Sequence, residues 1–155
     1  MTRGPQPSVR LARADECAGL TRLARRSKAV WGYSDEFMAR CADELTVTEE
    51  HLPHVVVIET AAGVVGFYAL SALEDDRVEL EFLFVEPREL RHGYGRRLLA
   101  HARAYARDDM RARTIVIQGD PHADAFYRSL GARRVGERAS ASIEGRMLPL
   151  YELDC

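Results

Sequence analysis

Apolar residues recur along the chain at two different spacings, and their order predicts a mixture of strands and helices. Residues 9–12 alternate in the manner of a short strand, and the apolar residues of 17–24 then recur at helical spacing. Ser34 is of a residue type that caps helix N-termini, and a second helical pattern runs from it to Leu45. The first third of the chain is therefore predicted to form a strand followed by two helices.

The rest of the chain alternates between β-rich runs and amphipathic segments. Residues 54–60 (HVVVIET) and 64–73 are separated by Gly63, so they predict a hairpin, which a third strand at 78–85 extends. The later segments are, in order, a helix with its apolar face over 98–106, a strand at 114–118, a helix over 123–130 and two alternating strands at 132–139 and 146–153. The order βααβββαβαββ predicts an α+β fold with one sheet and helices packed on it.

Length and composition indicate one globular domain. A chain of 155 residues with 46% apolar and 30% charged residues can bury a sizeable core but is too short for two domains of ordinary size. Residues 1–8 contain two prolines and a glycine and are predicted to be flexible, which leaves 9–155 as the domain. No run approaches the roughly 20 apolar residues of a membrane helix, and the N-terminus lacks the apolar core of a signal peptide. We therefore expect a cytoplasmic protein with no membrane partner.

The charge of the chain is nearly balanced overall but uneven locally. A formal net charge of −2 provides no overall positive field for nucleic acid. Residues 86–113 carry eight arginines against four acids, a net charge of +4, whereas residues 35–50 carry six acids against one arginine, a net charge of −5. The first region suits an anion and the second a cation. Lys28 is the only lysine, asparagine is absent, and the three cysteines are too widely spaced for a disulfide framework or a zinc pattern.

The segment from Glu81 to Leu99 (EFLFVEPRELRHGYGRRLL) leads from a strand through a glycine-containing turn directly into a helix. Glycines let backbone amides approach an anion, and the helix N-terminus adds unpaired N–H groups and the positive end of its dipole. Gly93 and Gly95 alone would usually indicate only a tight turn, but the strand before them and the helix after them favour a phosphate site. It matches neither the P-loop pattern nor the dinucleotide fingerprint, which needs a third glycine where Leu98 stands.

This segment resembles the signature of the GNAT superfamily of N-acetyltransferases, in which a strand ends in a V-x-P-like segment before a [QR]-x-x-G-x-[GA] loop and an amphipathic helix. Leu90 to Gly95 (LRHGYG) matches at both glycines, with Leu90 where Gln or Arg is usual. Asp120 to Gly131 (DPHADAFYRSLG) is similar to the family's D-P-x-A-x-x-F-Y-x-x-x-G. The resemblance covers about Val9 to Leu153 and implies a GNAT-type fold, a mixed and mostly antiparallel sheet with helices on both faces.

The resemblance also implies acetyl-coenzyme A (acetyl-CoA) as the acetyl donor, and no metal. In the family, the glycine loop holds the pyrophosphate through backbone amides, and a splayed fourth strand pairs with the pantetheine arm. The matching cofactor-binding positions are Leu83, Phe84, Val85, Leu90, Arg91, His92, Gly93, Tyr94, Gly95, Arg96, His122 and Tyr127. His122 stands where members often carry Asn, and it either replaces that contact or is an exposed loop residue.

Acetyl transfer to an amine needs a base for the ammonium, a donor for the developing oxyanion and an acid for the departing thiolate. Tyr127 stands where the family places a tyrosine that donates to the thiolate, and the backbone N–H of Leu83 or Phe84 would meet the oxyanion. Glu79 and Glu81 lie two apart on one predicted strand and therefore share a face. We favour Glu81 slightly as the base, with Glu79, a relay water or a merely polar strand face as the alternatives.

The acceptor is expected to be a primary amine of a small molecule or peptide, bound by Trp31, Tyr33, Glu79 and Glu81. The acidic residues of 35–50 either face this amine or form a solvated helix face. His51 and His54 form an HxxH pattern, but Pro53 between them argues against the helix that would aim both at one metal. The predicted function is an acetyl-CoA-dependent N-acetyltransferase, monomeric or homodimeric. The alternative is a non-catalytic acyl-CoA sensor or partner-binding domain.

Overall fold

The computed structural model describes residues 6–155, and residues 1–5 of the predicted flexible segment lie outside this part. Ser8 is already paired in the first strand, one residue before the predicted start of the domain. The strands are β1 (Ser8–Leu11), β2 (Val55–Thr60), β3 (Gly63–Ala72), β4 (Arg77–Val85), β5 (Thr114–Gln118), β6 (Arg133–Ala139) and β7 (Met147–Asp154), and the helices are α1 (Cys17–Ala29), α2 (Asp35–Arg40), α3 (Tyr94–Asp108) and α4 (Asp124–Ser129). Their order confirms the predicted βααβββαβαββ.

The seven strands form one sheet in the order β1-β2-β3-β4-β5-β7-β6. Every neighbouring pair is antiparallel except β4 and β5, which run parallel. A parallel pair needs a crossover connection, and α3 provides it between these two strands. The sheet is therefore mixed and mostly antiparallel, as predicted.

Helices cover both faces of the sheet, and the continuous apolar run of β2 follows from this. Val55 and Val57 pack in a cluster with α1 and α2, whereas Val56 and Ile58 pack in a second cluster with α3 and α4. Successive side chains of a strand point to opposite faces, so a strand buried on both sides is apolar at every position. All four side chains are buried.

A β-bulge at Glu81 reverses the alternation of side chains along β4. Pairing between β3 and β4 is regular until Leu70, where Leu80 is the partner and Glu81 is skipped. Leu80 and Leu83, three residues apart, therefore both face the α3 cluster, and Phe82 faces the α1 cluster. Period-two alternation, the basis of the sequence prediction, holds on each side of the bulge but not across it.

Strands β4 and β5 diverge halfway along the sheet. Arg77 to Leu80 pair with Thr114 to Ile117, but β4 continues to Val85 after β5 has ended. Among residues 6–155, no strand lies beside this last part of β4 on the β5 side. The backbone groups that point there are free to bind something else.

The helices are short, and α2 is shorter than predicted. Ser34 caps it as expected, its Oγ accepting from the Phe37 N–H at 3.1 Å. The helix ends at Arg40, where the Ala42 N–H bonds back three residues to Ala39 rather than four, so residues 41–45 form turns that still bury Cys41 and Leu45. The longest helix, α3, has 15 residues. Within the described part of the chain, no helix is both long and apolar enough to cross a membrane.

Candidate active site

A cavity of about 680 Å³ lies where β4 and β5 diverge. It is lined by most of the residues that the sequence analysis singled out: Trp31, Glu79, Glu81, Leu83, Phe84, Val85, Leu90, Arg91, Gly93, Tyr94, Gly95, Arg96, His122 and Tyr127. Because β4 contributes residues from Glu79 to Val85, the cavity follows the strand along its unpaired edge. Two of the predicted residues, His92 and Tyr33, do not line it.

The loop between β4 and α3 is shaped as an anion site. Arg91 and Gly93 both adopt the left-handed conformation, with φ of +73° and +77°, and Gly93 is the N-cap of α3. The turn brings backbone N–H groups next to the free N–H groups of the first helical turn, an arrangement that suits an anion. The side chains of Arg91 and Arg96 also line the cavity. His92 points elsewhere, with its Nδ1 2.9 Å from a carboxylate oxygen of Glu89.

Gly95 allows α3 to start close to α4. A Cβ at this position would lie 3.3 Å from Cζ of Phe126 and 3.8 Å from Cγ2 of Val85. The first contact is closer than almost all real Cβ contacts, so a larger residue would push the first turn of α3 away from α4. Gly95 therefore lets α3 pack closely against α4, whereas Gly93 forms the N-cap of α3.

An ion pair fixes the start of the anion loop to α1. Glu86, which follows β4, is 8% exposed and accepts two hydrogen bonds from Arg26, at 2.9 and 2.6 Å. Its backbone N–H donates to the carbonyl of Val65 at 2.8 Å. The hydrogen bonds from Arg26 lower the pKa of Glu86 against the opposing effect of burial. The loop thus starts from a point held by both β3 and α1.

Replacing Glu86 with Gln is expected to lower stability by about 1 kcal/mol, because the half-exposed Arg26 loses a charged partner that solvent partly screens. A carboxyl group with a lowered folded-state pKa stabilises the fold above its unfolded pKa of about 4.3, and that contribution is lost as the pH falls through the folded pKa. Urea unfolding at pH 7 and at pH 3 measures both effects. Equal losses at the two pH values would contradict the ion-pair explanation.

Tyr127 lies at the boundary between the core and the cavity. Its side chain is 7% exposed, and its ring lies 5.5 Å from that of Tyr151, centroid to centroid. Burial, with smaller contributions from the nearby Tyr151 and Asp120, raises the pKa of Tyr127 above its ordinary value. The hydroxyl makes no hydrogen bond with residues 6–155. The ring packs α4 on the sheet, and the same residue lines the cavity.

The two predicted carboxylates of β4 line the same cavity but have different partners. Glu79 accepts a charged hydrogen bond from Arg138 at 2.8 Å, whereas Glu81 accepts a neutral one from Ser71 at 2.6 Å. Among residues 6–155, Glu81 has no cationic partner, whereas Glu79 has one.

A cluster of aromatic and charged side chains forms another wall of the cavity. It lies where the α1–α2, β5–α4 and β6–β7 loops meet. Trp31 stacks on His122 with ring centroids 5.0 Å apart. Tyr33 donates to Asp120 at 2.7 Å, and burial and this hydrogen bond raise the pKa of Tyr33 to about 12. Burial alone would raise the pKa of Asp120, but hydrogen bonds from Tyr33 and His122 lower it overall. Tyr33 thus supports the wall without lining the cavity.

Several residues of the site were not predicted from the sequence. Lys28 and Glu44 line the cavity, and Arg138 and Arg146 bind residues of its wall. No local motif marks them, although Lys28 is the only lysine of the chain. Of the six acids within 35–50, Glu44 is the one that lines the cavity. The acidic stretch as a whole is a largely exposed surface.

The structure gives no indication of a bound metal within residues 6–155, where no group of three or more potential ligands comes together. The two histidines of the HxxH pattern lie in a 3₁₀ turn at Glu49–His54. The Nδ1 of His54 is 3.0 Å from the hydroxyl of Tyr105, and that of His51 is 3.0 Å from the backbone nitrogen of Thr48. Each ring has its own partner.

A sequence profile described as the acetyltransferase (GNAT) family matches residues 18–132, about three quarters of the chain. The chain belongs to the GNAT family. It is an acetyl-CoA-dependent acetyltransferase, as the sequence predicted. Among curated protein sequences, none matches the chain significantly.

Several solved GNAT structures share its fold. The PaiA N-acetyltransferase of Thermoplasma acidophilum, in complex with coenzyme A, has a TM-score of 0.74 at 15% identity and covers 97% of this chain and 100% of its own. The ribosomal-protein-S18-alanine N-acetyltransferase of Escherichia coli has a TM-score of 0.69 at 19% identity, and the match covers 96% of this chain and 94% of the E. coli protein. A GNAT family acetyltransferase of Brucella melitensis, in complex with acetyl-CoA, has a TM-score of 0.65 at 20% identity, and the match covers 96% of this chain and 88% of the Brucella protein. At these identities the likeness shows the fold.

The cavity of this GNAT acetyltransferase fits acetyl-CoA. The space around Gly93 is open, with no atom within 4 Å of a hypothetical Cβ. Two arginines, Arg91 and Arg96, face the cavity beside the free N–H groups of α3. Residues 81–85 of β4 offer an unpaired backbone edge to an extended polar chain. Together these features match a long ligand that has phosphates at one end and amides along its length.

Proposed function

We propose that the protein transfers the acetyl group of acetyl-CoA directly to the primary amine of a small molecule or peptide. The observation that carries this proposal is that one cavity joins an anion-binding loop, an unpaired strand edge, a carboxylate with a neutral partner and a buried tyrosine. Acetyl-CoA supplies an activated acetyl thioester. The chain supplies binding groups, a base and an acid.

The loop and strand hold the donor in place. Arg91 and Arg96 neutralise the charge of the phosphates, and the N–H groups at Gly93 donate to them. The free backbone groups of Leu83 to Val85 bind the pantetheine amides as another strand would. His122 lines the same cavity, but its Nδ1 is 2.9 Å from Asp120 Oδ1, which leaves only Nε2 for a ligand.

Glu81 receives the proton of the acceptor ammonium, directly or through a water molecule. An amine is a nucleophile only after it loses that proton, and a carboxylate in the cavity both attracts the cation and accepts the proton. Tyr127 then donates its phenolic hydrogen to the departing thiolate. Its raised pKa keeps the phenol protonated throughout the physiological pH range.

Thiol release in the presence of an amine panel, with the acetylated products identified by mass spectrometry, tests this function. The panel should contain amino acids, their amides, short peptides, polyamines and alcohols of matched size. We expect acetyl-CoA to bind in calorimetry and thiol to appear only with amines. A protein that binds acetyl-CoA but releases no thiol with any acceptor would be a sensor, and a best acceptor without an amine would refute the proposal.

Replacing Glu81 with Gln should lower kcat/KM roughly tenfold near pH 7, because the variant loses the proposed proton acceptor while Glu79, which is paired with Arg138, still attracts the amine. The defect should shrink as the pH approaches the pKa of the acceptor amine, which is about 8 to 10 in unperturbed amines, since the amine then loses its proton unaided. A pH–rate profile of the wild type and the variant measures this. A defect that is the same at every pH would make Glu81 a binding residue, and Glu79→Gln serves as the comparison.

A further inference from the structure

We infer that the acceptor carries a carboxylate near its amine and that Lys28 binds this carboxylate. The inference rests on the proposed function and specifies the acceptor of that same cavity. It starts from an ammonium group in the cavity wall with a single, long hydrogen bond to residues 6–155. An amino acid or another small amino carboxylate has the matching chemistry.

Lys28 lies in the last turn of α1, and its side chain is 13% exposed although it lines the cavity. An ammonium group has three N–H donors. In the described part of the chain its only hydrogen-bond or ion-pair partner is Asp120 Oδ2, at 3.5 Å, which is the longest hydrogen bond in the site. The ammonium is therefore withdrawn from bulk water while most of its donors have no protein partner.

Asp120 is not a partner of Lys28 alone, because it also contacts a second cation and accepts hydrogen bonds from two other donors. Its Oδ2 accepts from Tyr33 at 2.7 Å and lies 3.7 Å from Arg146, and its Oδ1 accepts from the His122 N–H at 2.9 Å. Lys28 and Arg146 both also lie over the ring of Tyr33, 5.5 and 5.1 Å from its centroid. Two cations thus share one carboxylate, which leaves a net charge of +1 in this group.

Within the range that the structure describes, the other carboxylates that line the cavity form no ion pair with Lys28. On β4, Glu79 is paired with Arg138, and Glu81 is bonded to Ser71 of β3. Glu44 lines the cavity too, but within residues 6–155 it forms no ion pair within 4.0 Å with Lys28 or any other cation. The cavity therefore presents a carboxylate with only a neutral partner, Glu81, and an ammonium with unused donors, Lys28, which is complementary to a zwitterion rather than to a polyamine.

Matched pairs of acceptors test this directly in the wild-type enzyme. Each pair is an amino acid and its amide, which keep the same side chain and amine but differ in the carboxylate. We expect kcat/KM for the best amino acid to exceed that for its amide roughly 10- to 100-fold, mostly through KM, the range for a hydrogen bond between charged groups. Equal or better turnover of the amide, a peptide or a polyamine would overturn the inference and leave the proposed function standing. No thiol release with any amine would overturn both.

The variant Lys28→Met removes the charge and keeps most of the aliphatic stem. We expect it to raise KM for the amino acid roughly 10- to 100-fold while KM for the amide and the affinity for acetyl-CoA stay unchanged, so that the preference between the two disappears. Lys28→Arg should retain most of the preference, and Arg25→Met, on the exposed face of α1, is the charge-matched control. Equal losses with acid and amide would mean that Lys28 only supports the wall. If Lys28→Met does not fold, the preference for the amino acid over its amide, measured in the wild type and in Lys28→Arg, still tests the inference.

Discussion

Replacing Gly93 with Asp is expected to abolish acetyl-CoA binding. Gly93 is the left-handed N-cap of α3, and the space around it is open, so an aspartate side chain fits there without a clash. Asp is among the few residues that tolerate the left-handed conformation. Its carboxylate would stand where a phosphate is proposed to bind. Two like charges 4 Å apart repel by about 4 kcal/mol near a protein surface, which corresponds to roughly thousandfold weaker binding.

Gly93→Asn is the control for this experiment, because asparagine has the shape of aspartate and an even better tolerance of φ near +77°. Calorimetric titration with acetyl-CoA should find the Asn variant within a few fold of the wild type and the Asp variant without measurable binding. Thermal unfolding of the two variants checks that both fold. If both bind equally well, the phosphates lie elsewhere and the assignment of the loop is wrong.

Replacing Tyr127 with Phe is expected to lower kcat by 10²-fold or more while leaving the affinity for acetyl-CoA nearly unchanged. The ring keeps its packing in the core, and the hydroxyl has no hydrogen bond to lose within residues 6–155. Only the donated proton disappears, and general-acid catalysis contributes roughly 10²- to 10⁴-fold. Single-turnover rates at saturating acetyl-CoA, together with calorimetry, separate chemistry from binding.

Tyr151→Phe provides the matched control, since Tyr151 lies beside Tyr127 in the same core cluster but does not line the cavity. Its hydroxyl donates to Asp124. This variant should lose about 1 kcal/mol of stability and keep its rate of acetyl transfer. If Tyr127→Phe were as active as Tyr151→Phe, a water molecule would have to protonate the thiolate.

The fold was predictable because most of its elements are specified locally. The valines of β2, the cap at Ser34 and the glycines before α3 each act within a few residues of their own position. The end of α2 was not predictable, since residues 41–45 keep an apolar spacing that turns and helices share. The bulge at Glu81 was missed as well, because it depends on the register with β3, which no local pattern records.

The residues proposed to bind the cofactor are nearly contiguous in the sequence, whereas those proposed to bind the acceptor are not. Leu90 to Arg96 are contiguous, so one motif contains nearly all of the anion loop. The acceptor side combines α1, the β5–α4 loop and the β6–β7 loop, and Lys28 and Arg146 meet through Asp120 across long stretches of sequence. Charge counted along 35–50 suited either a cation site or a solvated helix face, and in the folded chain one of these acids, Glu44, lines the cavity together with Lys28.

The two apolar clusters hold different parts of the sheet together. The α3 cluster takes buried residues from β2, β3 and β4 and also from β5 and β7, so it ties both halves of the sheet together behind the cofactor loop. The α1 cluster takes its buried strand residues, among those the structure describes, from β2, β3 and β4 alone. Beyond β4 on that side, the wall proposed to bind the acceptor depends on ion pairs and loops, which change with single substitutions more easily than a packed core does. Evolution can therefore exchange the acceptor of such a fold while its use of acetyl-CoA stays constant.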